Sequence, residues 1–222
     1  VNTDHLLETF NRHQVRYILV GGVNFLLRHA PVLTFDIDLW IRDDPENLRR
    51  CEQALASLDA AWGRDDADWK PVADQTPGWL GQQGIFCLTS PYGAIDIFKF
   101  LLGVDNWDHA LSRSTLMTTG AGAPIQSLSD EDMIALNWRY PKQTETKSEF
   151  ASCPKPERSD LDMVQPDLKT REERKRDRHW LPGERWHAMQ AMIAWAESQG
   201  TVKRNTPAQC RAKERRLLST SF

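Results

Sequence analysis

Cysteine is scarce and scattered: Cys51, Cys87, Cys153 and Cys210 form no C-x-x-C pair and have no histidine near them at ligand spacing. That pattern speaks against a zinc ribbon and against a disulfide scaffold, and reduced, buried thiols are expected. Long apolar runs are missing too. None approaches the roughly 20 residues that cross a bilayer, so no membrane association is expected. The N-terminal VNTDHLLETF lacks the basic region and apolar stretch of a secretory signal, which makes a cytoplasmic location the expectation. Internal repeats are absent as well. Charge of one sign is not in large excess, since 28 Lys and Arg against 31 Asp and Glu leave a net charge of -3. A composition 40% hydrophobic and 27% charged is that of a globular chain. Its 222 residues suffice for one substantial domain with an appendage.

What charge there is lies unevenly. Between Arg171 and Arg216 the chain carries 12 basic against 6 acidic residues, while the remainder is net acidic. Such a segment can contact a polyanion such as tRNA or another RNA, or can simply be a solvated helix or tail.

Periodicity divides the first half into short elements. Leu6, Leu7 and Phe10 give Asp4–His13 a helical stripe. Tyr17–Val20 is a compact apolar strand halted by Gly21-Gly22, and Asn24–His29 has room for a turn or two of helix before Pro31. Phe35–Ile41 alternates, with Phe35, Ile37 and Leu39 on one face and Asp36 and Asp38 on the other. Asp44, Pro45 and Glu46 open a helix that buries Leu48, Cys51, Leu55 and Leu58. Trp69 and Trp79 are expected packing anchors in a polar, turn-rich stretch. A hairpin over Gly84–Leu88 and Ala94–Phe98 follows, with Asp96 opposite in facing to Ile95 and Ile97. A helix near Asn106–Ser112, a loose Gly120–Pro124 and a helix from Ser129, capped with Asp132, to about Tyr140 come next. Residues 141–178 are poor in large apolar side chains. A last amphipathic helix over Gly183–Gln199 should bury Trp186, Met189, Met192 and Ile193. Trp40, Trp62, Trp138 and Trp195 are expected in the core, not as base-stacking platforms.

Three pieces carry chemistry. Gly21-Gly22 between a strand and a helix lets backbone approach a phosphate, although most such pairs are only turns. Asp36 and Asp38 stand two apart on one strand face, about 6.5–7 Å between Cα atoms, and can share hard divalent ions. Asp96 in a second apolar strand can complete a carboxylate trio for in-line attack on phosphorus. Arg28 and Lys99 could meet triphosphate charge but are expected to be solvated or ion-paired side chains, and His29 and His109 lack a partner at nucleophile or metal spacing.

The string YILVGGVNFLLRHAPVLTFDIDLWI resembles the glycine-pair and D-x-D element of the polymerase-β-like nucleotidyltransferases, and GAIDIF is similar to their third-carboxylate strand. The likeness spans about residues 15–100 and is greatest to the small stand-alone prokaryotic branch that includes toxin–antitoxin nucleotidyltransferases. The resemblance implies an α+β fold, a small mixed sheet flanked by helices, over residues 1–120, with a helical, charge-rich and partly flexible extension over 121–222. It implies transfer of a nucleoside monophosphate from ATP or another NTP to a protein or RNA hydroxyl. Asp36, Asp38 and Asp96 would be catalytic, Asp36 and Asp38 ligating two Mg2+ ions and Asp96 serving the catalytic ion and the acceptor, while Gly21, Gly22 and Asn24 would contact the nucleotide. The chain departs from the family at Gly22, where Ser is frequent, at Asn24, and at Asn137, where Lys is frequent. These departures keep open a second reading, a non-catalytic module acting as a cognate toxin or antitoxin partner.

Overall fold

A computed structural model describes residues 1–29, 33–65, 67–136, 180–198 and 206–220. The expectations for 141–178, for Asn137 and Trp138, and for Cys153 fall outside the described residues. Helix α1 (Thr3–Arg12) begins at Asn2, whose side chain accepts from the His5 amide. Strand β1 (Tyr17–Val20), helix α2 (Gly21–Arg28) and strand β2 (Asp36–Ile41) follow. Helix α3 (Pro45–Ser57) starts as its sequence dictates: the Asp44 carboxylate accepts from the Asn47 amide and Pro45 takes the first turn. Such a cap is worth about 1 kcal/mol. A two-stranded ribbon, β3 (Ala61–Trp62) with β4 (Lys70–Pro71), precedes the hairpin of β5 (Ile85–Leu88) and β6 (Ala94–Phe98). Then come α4 (Trp107–Arg113), the hairpin β7 (Thr115–Thr118) and β8 (Pro124–Ser127), and α5 (Asp130–Ala135). At the start of α5, Ser129 accepts from the Asp132 amide and donates to its carboxylate. Helices α6 (Pro182–Ser198) and α7 (Pro207–Thr220) complete the described chain.

The fold is a mixed α+β arrangement around a six-stranded sheet in the order β5-β6-β2-β1-β8-β7. Pairing is antiparallel for β1 with β2, β5 with β6 and β7 with β8, and parallel for β2 with β6 and β1 with β8. The sheet therefore does not stop at residue 120. The glycine-rich Gly120–Pro124 stretch, read as loose, is the turn of a hairpin that carries β8 back beside β1.

Strand alternation sends side chains to two apolar clusters. One face contributes Leu19, Ile37, Leu39, Phe86, Ile95 and Ile97, packed beneath α1, α2, α3 and α6. The other contributes Ile18, Val20, Trp40, Ile85 and Phe98, and is covered by α4, α5 and α7. Trp62 stacks on Trp79, and Phe86 meets both edge-on. Helix α6 buries Trp186, Met189 and Ile193 as expected, but Met192 is 37% exposed and Trp195 67% exposed. A helix apolar on more than one side cannot bury every large residue against a single sheet face. Trp195 is thus not a core residue.

Candidate metal centre

Asp36 and Asp38 share the β2 face opposite Ile37 and Leu39, a direct result of the two-residue repeat. Parallel pairing then sets Asp38 directly across from Asp96 on β6. Each of the three carboxylates offers one oxygen, and these lie within 4.8 Å of one another. Asp38 and Asp96 are buried and Asp36 is partly so. Burying like charges at this spacing is unfavourable unless a cation balances them.

Gly21 makes the approach possible. Its φ of +66° is a left-handed conformation, and a Cβ there would fall 2.0 Å from Asp38 Oδ2 and 2.9 Å from Asp38 Cβ. The Gly22 backbone N–H donates to Asp38. The diglycine turn and the D-x-D strand are thus one interlocked piece. A Cβ on Gly22 would come 2.9 Å from Thr34 Oγ1, and that hydroxyl donates to Asp36 at 2.6 Å.

A cation that sequence reasoning did not anticipate stands among the carboxylates. Lys213 of α7 sets its ammonium 2.7 Å from Asp36 Oδ2 and 3.8 Å from Asp38 Oδ1, and in direct contact with Asp96 Oδ2. Burial by itself would raise the Asp36 carboxyl, but the Lys213 ammonium and the Thr34 hydroxyl draw it below the ordinary range. Asp38 is pushed well above that range by burial and then by the Asp36 charge. Asp96 is raised, chiefly by burial and against the pull of Lys213. Lys213 itself is held well above the usual lysine value, because the three carboxylates outweigh its burial.

The helix bearing Lys213 is anchored on both sides of it. Glu214, 6% exposed, accepts from the Trp62 indole at 2.8 Å and from the Cys87 backbone amide at 2.9 Å, closing a donor on the edge strand β5. Arg211 lies over the Trp69 ring at 5.4 Å, so Trp69 anchors α7 more than the core. Cys210 is buried and its thiol is pushed up to about 12, first by burial. Burial likewise drives the Cys51 and Cys87 thiols upward, as reduced, inert cysteines require.

The remaining candidates divide clearly. Asn24, expected at the nucleotide, is fully buried: its amide donates to the Leu128 carbonyl at 3.3 Å and accepts from the Ser127 hydroxyl, tying α2 to β8. Its side chain is committed to that structural bridge. Arg28 and His29 both meet Asp130, at 2.7 and 2.8 Å. Lys99 pairs with Asp43 at 3.2 Å and donates to the Leu80 carbonyl. His109 lies 3.9 Å from Asp105. Among the described residues of the basic C-terminal segment, Arg185 and Arg211 are buried and Lys213 enters the trio. A cavity of about 360 Å³ bounded by Arg16, Tyr17, Arg42, Trp107 and Ile125 opens at the other end of β1 and β2. Its arginines are already paired, Arg16 with Asp44 and Arg42 with Asp108.

Hard carboxylate oxygens at this mutual spacing suit a divalent cation. Asp38 Oδ1 adds to the fit, being buried without a hydrogen-bond partner among the described residues. No helix is long and apolar enough to cross a membrane among the described residues. Comparison with known protein families, with curated proteins and with solved structures returned no match.

Proposed function

We propose that this chain is a magnesium-dependent nucleotidyltransferase, moving a nucleoside monophosphate from an NTP to a hydroxyl on a protein or RNA. The observation that carries the reading is the convergence of Asp36, Asp38 and Asp96 from adjacent parallel strands beside the Gly21-Gly22 turn. Asp36 and Asp38 would hold a magnesium ion from one strand face, and the ion would supply charge neutralisation for triphosphate oxygens. Asp96, across from Asp38 on β6, takes the proton of the attacking hydroxyl. The hydroxyl oxygen forms its bond to the α-phosphorus as the bond to the β-phosphate bridging oxygen breaks, and pyrophosphate leaves. Asn24 is left out of the nucleotide contacts.

Incubation with each α-labelled NTP, Mg2+ and candidate acceptors, tRNA included, tests the reading. Label should appear on one acceptor and fall at least about 100-fold in Asp36→Ala, Asp38→Ala and Asp96→Ala, as expected for removing a metal ligand. Equal labelling by wild type and all three variants would refute it.

A second reading has its own support. Lys213 neutralises part of the trio without any metal, as a non-catalytic toxin–antitoxin module could retain. A stable complex with a small protein encoded beside this one, formed equally well by Asp36→Ala, would favour that alternative.

A further inference from the structure

We infer that helix α7 is a built-in gate, in which the Lys213 ammonium occupies the cation position of the carboxylate trio and must withdraw before a divalent ion binds. The inference rests on reading the trio as a divalent-cation site, though not on which group is transferred. Its geometric basis is exclusion. A divalent ion bound by carboxylates lies about 2.0–2.6 Å from their oxygens. Oxygens within 4.8 Å of one another can converge on a central cation position, and Lys213 Nζ contacts Asp96 and stands 2.7 Å from Asp36 in that same space. Two cations cannot share it.

The plug is also built rather than incidental. Cys210, Arg211, Lys213 and Glu214 lie on one helical face, and Leu217 and Leu218 continue it into the second apolar cluster. Glu214 fixes the helix to the Trp62 indole and to the edge amide of Cys87. At the same time the plug is incomplete. One ammonium offsets only part of the charge of three carboxylates, and Asp38 Oδ1 stays unbonded with Lys213 at 3.8 Å. A divalent ion brings twice the charge to the same oxygens. Exchange of lysine for metal is therefore a balanced competition, not a permanent closure.

Two consequences follow from linkage. Apparent metal affinity is the intrinsic affinity multiplied by the fraction of molecules in which α7 is withdrawn. Reciprocally, metal binding loosens α7 by the same factor.

Titration of the full chain with Mn2+ alone, without nucleotide, reads the first consequence. Alkylation of Cys210, mapped by mass spectrometry, reads the second. Lys213→Ala should bind Mn2+ about 10–100-fold more tightly than wild type, the gain expected if α7 is withdrawn in about 1–10% of molecules. Saturating Mn2+ should accelerate Cys210 alkylation in wild type. Glu214→Gln, which leaves the trio and Lys213 in place, should shift both readouts the same way by a smaller factor, and it serves if Lys213→Ala does not fold. Unchanged Mn2+ affinity in the folded variants, with Cys210 still protected at saturation, overturns the gate while leaving the cation site standing. Folded wild type and variants that all fail to bind Mn2+ overturn both the gate and the metal-dependent function.

Discussion

Replacing Gly21 by Ala separates two effects that meet at one atom. The first is conformational: at φ +66° an L-residue carries a penalty of roughly 1–2 kcal/mol. The second is steric. The new Cβ would stand 2.0 Å from Asp38 Oδ2, 2.5 Å from its Cγ and 2.9 Å from its Cβ, so the whole side chain, not merely its tip, is in the way. Asp38 is 3% exposed and accepts from Gly22, so it cannot move without disturbing the turn. Overpacking of this kind adds about 1–3 kcal/mol, for a total of about 2–5 kcal/mol. Gly78 provides the control, because it has φ +89° with nothing within 4 Å of its Cβ position. Gly78→Ala should show the backbone effect alone, about 1 kcal/mol. Urea unfolding followed by tryptophan fluorescence measures both, with the m-value checked for constancy. The double variant Gly21→Ala/Asp38→Ala should be less destabilised than the sum of its parts by about 1 kcal/mol or more. If Gly21→Ala proves no worse than Gly78→Ala, the interlock between turn and carboxylate is wrong.

Glu214→Ala strands two buried donors, the Trp62 indole and the Cys87 amide. It should lower unfolding free energy by about 2–4 kcal/mol, with Glu214→Gln closer to wild type; a loss under about 1 kcal/mol would mean α7 is not held there. Arg28 first, and then His29, hold the Asp130 carboxyl below its ordinary value of 3.8. A folded-state value below the unfolded one means that the stabilisation is whole above about pH 4 and disappears as pH falls through the folded-state value. The melting-temperature advantage of wild type over Asp130→Asn should therefore be present at about pH 5 and shrink steadily as the pH is lowered below about 4. It should stay within what about 1 kcal/mol provides, since solvent reaches the pair. An advantage that grows toward low pH would reverse the assigned sign.

Much of the site is legible in the sequence. The alternation of Phe35–Ile41 put Asp36 and Asp38 on one face, and the structure keeps them there. Gly21-Gly22 was recognisable as the point where the strand stops, although both glycines open helix α2 and no separate turn precedes it, and Asp44, Pro45 and Ser129 announced two helix starts that exist where expected. These features are local. They depend on the two- and 3.6-residue repeats of the backbone and on caps within three or four positions.

Other features belong to the assembled molecule. Asn24 looked like a nucleotide contact from its place after the diglycine, yet β8, a hundred residues later, claims its amide. Trp195 matched a core pattern, but the sheet face offered α6 only one side to bury.

The sequence by itself determined the short strands, the diglycine bend and the shared facing of the first two aspartates, because each is decided by neighbours in the chain. Only the tertiary structure decided that β2 and β6 run parallel in the register that sets Asp38 against Asp96. It alone brought Lys213 across 177 positions to Asp36. Strand register and helix docking are choices among distant surfaces, made by burial and charge balance over the whole fold. No local repeat encodes them.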